Sequence, residues 1–271
     1  MKPRYPFLIS IPHGGTELPL ELDGRLQISG QEIRYYSDPE TRELYRFGDA
    51  VTALIDTNIS RVAVDLNRPP LPLPPRDPDG IIKTRTIDGR AVYRPGCVPD
   101  LPLIHRLLMA WYFPYHQKID ELIDTRGVAI AFDCHSMLPR GSGEQKDAGR
   151  KRPIICLGNN GDRLGRAKKN GIATCPEAWI HALADEFRAE FSLEKKEVAI
   201  NNPFSGGFIT NAHYWRKGIP WIQLEVNRTL YDPGPLNGTA QGPGFCTTVP
   251  ELREMIWHVL TRFWDRLETR P

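Results

Sequence analysis

Four apolar runs, each stopping at a polar cluster, constrain this chain more than any other feature. Residues 127–132 (GVAIAF) lead into Asp133-Cys134-His135-Ser136-Met137, and Pro6 to Ile11 lead into Pro12-His13-Gly14-Gly15. Arg61 to Val64 lead into Asp65-Leu66-Asn67-Arg68, and Trp221 to Leu224 into Glu225-Val226-Asn227-Arg228. Near-continuous apolar strands separated by amphipathic helices argue for an α/β fold: a mostly parallel, mixed sheet flanked by helices on both faces. Ligands bind such sheets beyond the carboxyl ends of the strands. The four polar clusters fall there, so residues distant in sequence are grouped on one edge.

The order of elements follows from periodicity. A strand over about Tyr5 to Ile11 leads into a loop with His13 and Glu17. Ser37-Asp38-Pro39 has the form of a helix start, and Leu44, Phe47, Val51, Leu54 and Ile55 recur at helical spacing behind it. A second strand is expected over Val62 to Leu66. Pro69 to Pro99 is rich in Pro, Gly, Arg and Asp with no sustained period, which predicts a functional loop or lid. A helix is predicted from Leu103 to Thr125, kinked or interrupted at Pro114. After the GVAIAF strand come a glycine- and charge-rich loop (Pro139 to Arg152) and a short strand (Pro153 to Leu157). Thr174-Cys175-Pro176-Glu177 has capping-box form and opens a helix with Trp179, Leu183, Phe187 and Phe191. A strand at Val198 to Ile200 and a turn from Asn201 to Gly207 precede the last main strand, and a helix runs from about Pro250 to Leu267. No internal repeat or linker divides the chain, so one domain spans residues 1–271, with the loop or lid at about 69–99.

At 271 residues such a chain buries a sizeable core without staples. Its 35 Lys and Arg against 33 Asp and Glu give no global pull towards nucleic acid or a membrane surface. Five scattered cysteines (Cys97, Cys134, Cys156, Cys175, Cys246) include no CxxC pair and read as reduced thiols. The first residues, Met1-Lys2-Pro3-Arg4-Tyr5-Pro6, lack an apolar leader, and no run is long enough to span a bilayer. A cytoplasmic protein acting on a small molecule is expected; oligomeric state is left open.

His13 and His135 each stand at a strand end, where a histidine is either a satisfied structural residue or a metal ligand. Two on one edge favour a metal, because a catalytic zinc takes three protein ligands and leaves a position for water. The third ligand is Asp38, which otherwise caps a helix, or Glu17, otherwise a solvated loop carboxylate. Glu225 ends a buried run, where a carboxylate is costly unless paired with Arg68 or Arg228 or used as a general base or acid. Arg68 and Arg228 suit bidentate binding of a substrate carboxylate. Asn202-Pro203-Phe204-Ser205-Gly206-Gly207 is a turn whose small residues would line the substrate.

Six motifs in order make the resemblance specific: Ile11 to Gly15, Ser37-Asp38-Pro39-Glu40-Thr41, Val64 to Arg68, Asp133 to Met137, Asn202 to Gly207, and Gln223 to Arg228. Together they resemble the N-formylglutamate amidohydrolase family, which is related in fold to the zinc carboxypeptidases (a phosphorylase/hydrolase-like fold). The resemblance implies a zinc-dependent hydrolase of an N-acyl amino acid amide, N-formylglutamate giving formate and glutamate. It implies His13, Asp38 and His135 as zinc ligands, with Glu17 the alternative to Asp38, and Glu225 as the residue activating water. Asp65 would orient His13, with Asp133 in a similar supporting place. Arg68 would bind the substrate carboxylate or stabilise the oxyanion, and Asn67, Asn202, Gly206, Gly207 and Arg228 would line the substrate. Two rivals remain: a carboxypeptidase-like or other N-acyl amino acid hydrolase, and a non-enzymatic metabolite- or anion-binding protein using the arginines without a metal.

Overall fold

Among the described residues six strands form one sheet, in the order β2-β1-β3-β6-β4-β5. They are β1 (Tyr5–Ile11), β2 (Val51–Asp56), β3 (Ile130–Met137), β4 (Ile155–Gly158), β5 (Val198–Ile200) and β6 (Trp221–Asn227). All neighbours pair in parallel except β4 and β6, which are antiparallel. The computed structural model describes residues 5–232 and 247–269; residues 1–4 and Cys246, which enter the readings above, lie outside them. The remaining four cysteines are free thiols. Among the described residues no helix is long and apolar enough to cross a membrane.

Alternation along the strands sorts the side chains into two layers. Phe7, Ile9, Ile11, Phe132, Cys134, Ile222, Leu224 and Val226 face one way and pack with α5 (Glu177–Phe191) and α7 (Val249–Glu268). Leu8, Ala131 and Trp221 face the other way, among residues of α1 (Gly30–Tyr36), the helical stretch between Leu103 and Ile123 and the 69–99 segment. Further along that second face the strands turn polar: Ser10 on β1, Asp133 and His135 on β3, Gln223 and Glu225 on β6, all fully or nearly buried. Register places His135 opposite Glu225 and Asp133 opposite Gln223. His135 and Glu225 therefore lie within strands, on one face, rather than just beyond their ends as the apolar runs alone suggest.

Several expected elements differ. Val51–Asp56 is a strand, not the later part of an amphipathic helix, and the helix before it, α2, covers only Thr41–Leu44. Its β-branched residues suit an edge position, and its hydrogen bonds come from β1, which local spacing does not reveal. Val62 to Leu66 is not a strand: Ala63 and Val64 donate their N–H to Ser60 O, and Asp65 N–H to Ile81 O, so it is a buried turn. Pro114 interrupts the long helix as expected. α3 (Leu101–Leu107) passes through a π turn (Leu108–Tyr112) into α4 (Phe113–Arg126), the wider turn accommodating a residue with no N–H. Thr174 does not cap α5; its hydroxyl donates to Trp221 O and ties the helix entry to β6. α6 (Phe208–Lys217) was not anticipated by periodicity. Residues 69–99 contain no regular element, yet Ile81, Ile82, Val92 and Tyr93 anchor them in the core.

Candidate active site

Backbone contacts set the first two groups of the site. β1 ends at Ile11, and Gly15 lets the chain pass so close to the Asn58–Ile59 backbone that a Cβ there would overlap it. α1 ends at Tyr36, and Asp38 N–H donates to His13 O at 2.9 Å, which draws the Asp38 carboxylate beside the His13 ring. Asp38 is therefore not a helix N-cap. The α2 cap position is Glu40, whose side chain makes no capping bond, and Asp38 serves α2 only through its carbonyl, which accepts from Thr41 Oγ1.

His13, Asp38 and His135 are all buried, with one ligand atom from each lying within 4.8 Å of the others. His135 Nδ1 is 3.1 Å from Asp38 Oδ2, and His13 Nδ1 is 3.6 Å from the same oxygen. On the far side of each ring stands a carboxylate: Asp65 Oδ1 is 2.7 Å from His13 Nε2, and Asp133 Oδ2 is 3.0 Å from His135 Nε2. With each aspartate accepting a hydrogen bond from Nε2–H, the Nδ1 atoms that face Asp38 would offer their lone pairs to a bound metal. Among the described residues, buried His13 Nδ1 has no hydrogen-bond partner. An orphaned nitrogen, a second inward nitrogen and a carboxylate oxygen around one point fit a divalent metal, and histidines backed by carboxylates are the usual form of such ligands. Glu17 lies exposed outside the cluster, its backbone paired with Asn58 and Ser60, so it is not the third member.

The charges of the site follow from these contacts. Burial opposes ionisation of Asp38, but the His13 and His135 side chains beside it and the Arg61 charge outweigh it and hold the carboxyl well below its usual range. Burial likewise opposes ionisation of Asp65; the Lys83 and Arg61 charges overcome it, and that carboxyl also lies well below its usual range. Glu225 goes the other way. Burial pushes it up to about 8, although the His135, Arg61 and Arg152 charges pull it down. Gln223 Nε2 donates to Glu225 Oε1 at 3.3 Å.

His13, Asp38, His135, Gln223 and Glu225 line a cavity of about 510 Å³, walled also by the 69–99 segment (Pro78, Asp79, Lys83, Arg85, Thr86) and by Pro203 to Gly207. Gly206 and Gly207 are on the wall as expected; Asn202 is exposed and off it. Asn67 is buried and fully engaged: its amide donates to Asp133 Oδ2 and accepts from Ile209 N–H, so it holds the site together rather than gripping substrate. Arg228 also departs from expectation. Its guanidinium donates to Ser136 Oγ, Tyr35 O, Ser37 O and Asp38 Oδ1, which fixes Asp38 and leaves no fork for a substrate carboxylate. Glu225 is paired with neither Arg68 nor Arg228. Arg68 reaches the cavity while bonded through Nε and Nη2 to Asp79. Four further cavity cations, Arg61, Lys83, Arg85 and Arg152, stand in segments where periodicity is silent; the four-residue spacings of Arg61 from Asp65 and of Lys83 from Asp79, both bridged, are local clues.

Residues 5–232 match the model of the family described as N-formylglutamate amidohydrolase. Over 243 residues the chain is 30% identical to the N-formylglutamate deformylase of Pseudomonas aeruginosa, covering 84% of this chain and 82% of that one. It is 28% identical to the enzyme of the same name from Pseudomonas putida over 244 residues, with the same coverage of 84% and 82%. In fold it is similar to the crystal structure of N-formylglutamate amidohydrolase from Ralstonia eutropha JMP134, with a TM-score of 0.71 at 20% identity, covering 96% of this chain and 93% of that one.

Proposed function

The chain belongs to the N-formylglutamate amidohydrolase family, and from that premise we propose that it hydrolyses N-formyl-L-glutamate to formate and L-glutamate, with zinc held by His13, Asp38 and His135. The observation that carries the metal is His13 Nδ1, buried without a partner and facing the same Asp38 oxygen as His135 Nδ1. Zinc bound there would supply a Lewis acid and bring the pKa of a water towards neutrality.

The chain's own groups do the rest. Asp65 and Asp133 fix the tautomer and orientation of the two histidines. Glu225, its carboxyl raised by burial and drawn down by nearby cations, can take a proton from the attacking water and return it to the leaving amine, since acid–base catalysis works best with a pKa near the operating pH. Arg61 and Arg68 stand on the cavity wall, cations that suit a substrate carrying carboxylates. The cavity is of the size that takes a small metabolite.

Metal analysis of protein purified without chelator should find one zinc per chain in wild type and none in His13→Ala or His135→Ala. Glu225→Gln should keep the zinc and lose about 10²–10⁴-fold in turnover; near-wild-type turnover would refute its role. N-formylglutamate tested beside N-acetylglutamate and dipeptides assigns the substrate, and preference for either of those would overturn it.

A further inference from the structure

Arg68, a cation the cavity offers to a substrate carboxylate, already holds one. Its Nη2 donates to Asp79 Oδ2 at 2.8 Å and its Nε to Asp79 O at 3.0 Å, while Lys83 Nζ donates to the other carboxylate oxygen, Oδ1. All three residues stand on the cavity wall, so the Asp79 carboxylate lies between two cations, where an acidic substrate would bring its own. Burial opposes its ionisation, but the Lys83 and Arg68 charges outweigh it and lower the carboxyl to about 2, so it is an anion at neutral pH. Asp79 differs from the aspartates around the two histidines. Asp38, Asp65 and Asp133 are buried, whereas the Asp79 side chain is 55% exposed, in a turn of the irregular 69–99 segment closed by Gly80 N–H to Asp77 O. Neither cation depends on its carboxylate alone. Lys83 also meets Asp65 at 2.9 Å, and the Asp79 carbonyl keeps Arg68 Nε when the side chain turns. An exposed ion pair contributes little net free energy, and an exposed side chain changes rotamer within nanoseconds. A substrate carboxylate presenting two oxygens to the same fork therefore replaces one anion by another and leaves no charge bare.

We propose that Asp79 is a specificity-determining residue, its carboxylate filling the Arg68 fork in the empty cavity and yielding it to a carboxylate of the substrate; this rests on the hydrolase reading above. A ligand with a carboxylate at that place exchanges one ion pair for another. A ligand with a carboxamide or an alkyl group there leaves the Arg68–Asp79 pair closed and meets an anion on the wall. Selectivity thus comes partly from what the wall repels. The same exchange lowers the affinity of every carboxylate ligand, product glutamate included, because each must first displace Asp79.

Glutarate, a dicarboxylate with no amide to cleave, reads this contact by calorimetry on the purified protein. Asp79→Asn removes the charge at nearly constant shape, and Asp79→Ala removes the side-chain acceptor as well; the exposed position makes both compatible with folding. Glutarate should bind about fivefold more tightly to Asp79→Asn than to wild type, the upper end of what an exposed ion pair contributes, and more tightly still to Asp79→Ala. KM for N-formylglutamate should fall in the same order. Glu144→Gln removes another acid of the cavity wall and should change glutarate affinity less than about twofold, since a more distant charge is screened. Weaker binding in the Asp79 variants would make Asp79 a support that aims Arg68, and an equal gain in Glu144→Gln would reduce the effect to general charge. Either result overturns the proposal, as does unchanged affinity in both Asp79 variants. Failure of the hydrolase reading appears separately, as wild-type protein that does not turn over N-formylglutamate.

Discussion

Replacing Asp65 by Asn tests how the site is held together. Asp65 is fully buried and meets four donors: His13 Nε2 at 2.7 Å, Asn67 N–H at 2.9 Å, Lys83 Nζ at 2.9 Å and Arg61 Nη2 at 3.1 Å. The Asn carbonyl can still accept on the His13 and Asn67 side, but its NH₂ then faces two cations. Lys83, with a side chain 7% exposed, keeps only Asp79 as an ion-pair partner among the described residues. Removing one member of a buried ion pair costs about 3–5 kcal/mol, and weakening the carboxylate behind a ligand histidine costs about 10–100-fold in metal affinity. The pH dependence has a definite sign. The folded-state pKa of Asp65 is depressed below 3.8, so its stabilisation is complete above the unfolded value and is lost as pH falls through the folded one. Urea unfolding in chelator should therefore show a gap of several kcal/mol between wild type and Asp65→Asn at pH 7 that narrows by about pH 2. Adding Lys83→Met should return part of the loss. A gap below about 1 kcal/mol at pH 7, where an exposed pair would fall, or one of constant size at both pH values, would refute the reasoning.

Two other substitutions probe the same architecture. A Cβ at Gly207 would overlap the Asn67 amide, which donates to Asp133 and so supports His135. Gly207→Ala should cost about 1–3 kcal/mol by overpacking and lower both metal occupancy and turnover, and unchanged occupancy would separate that turn from the ligands. Glu17→Gln, at an exposed position outside the cluster, should retain full zinc stoichiometry and wild-type kcat/KM; loss of zinc on dialysis would restore Glu17 as a ligand.

The parts of the molecule legible in one dimension share a physical property: their signal is carried by neighbours in the chain. β1, β3 and β6 are apolar over most of their length because both faces are buried, and α5 and α7 carry stripes with the 3.6-residue period of a helix packed on one side. The motif residues His13, Asp38, His135 and Glu225 stand out because polar groups interrupt such patterns, and all four meet in one cavity.

What tertiary structure decided has no such local carrier. Val51–Asp56 is a strand because β1 offers it hydrogen bonds, while Val62 to Leu66, equally apolar, finds its partners at Ser60 and Ile81 and turns. Asp38 joins the cluster because its N–H is bound to His13 O, and its carboxylate then meets a histidine 97 residues away. Arg228 reads in sequence as a hand for substrate, yet three carbonyl or hydroxyl oxygens and Asp38 surround its guanidinium and make it the brace of a ligand. Arg61, Lys83 and Arg152 belong to turns and loops, where no period marks which side chain faces inward; only the folded chain shows them on the cavity wall. Burial patterns repeat along the chain and can be read from it, whereas the direction of a charged side chain depends on which distant oxygens surround it.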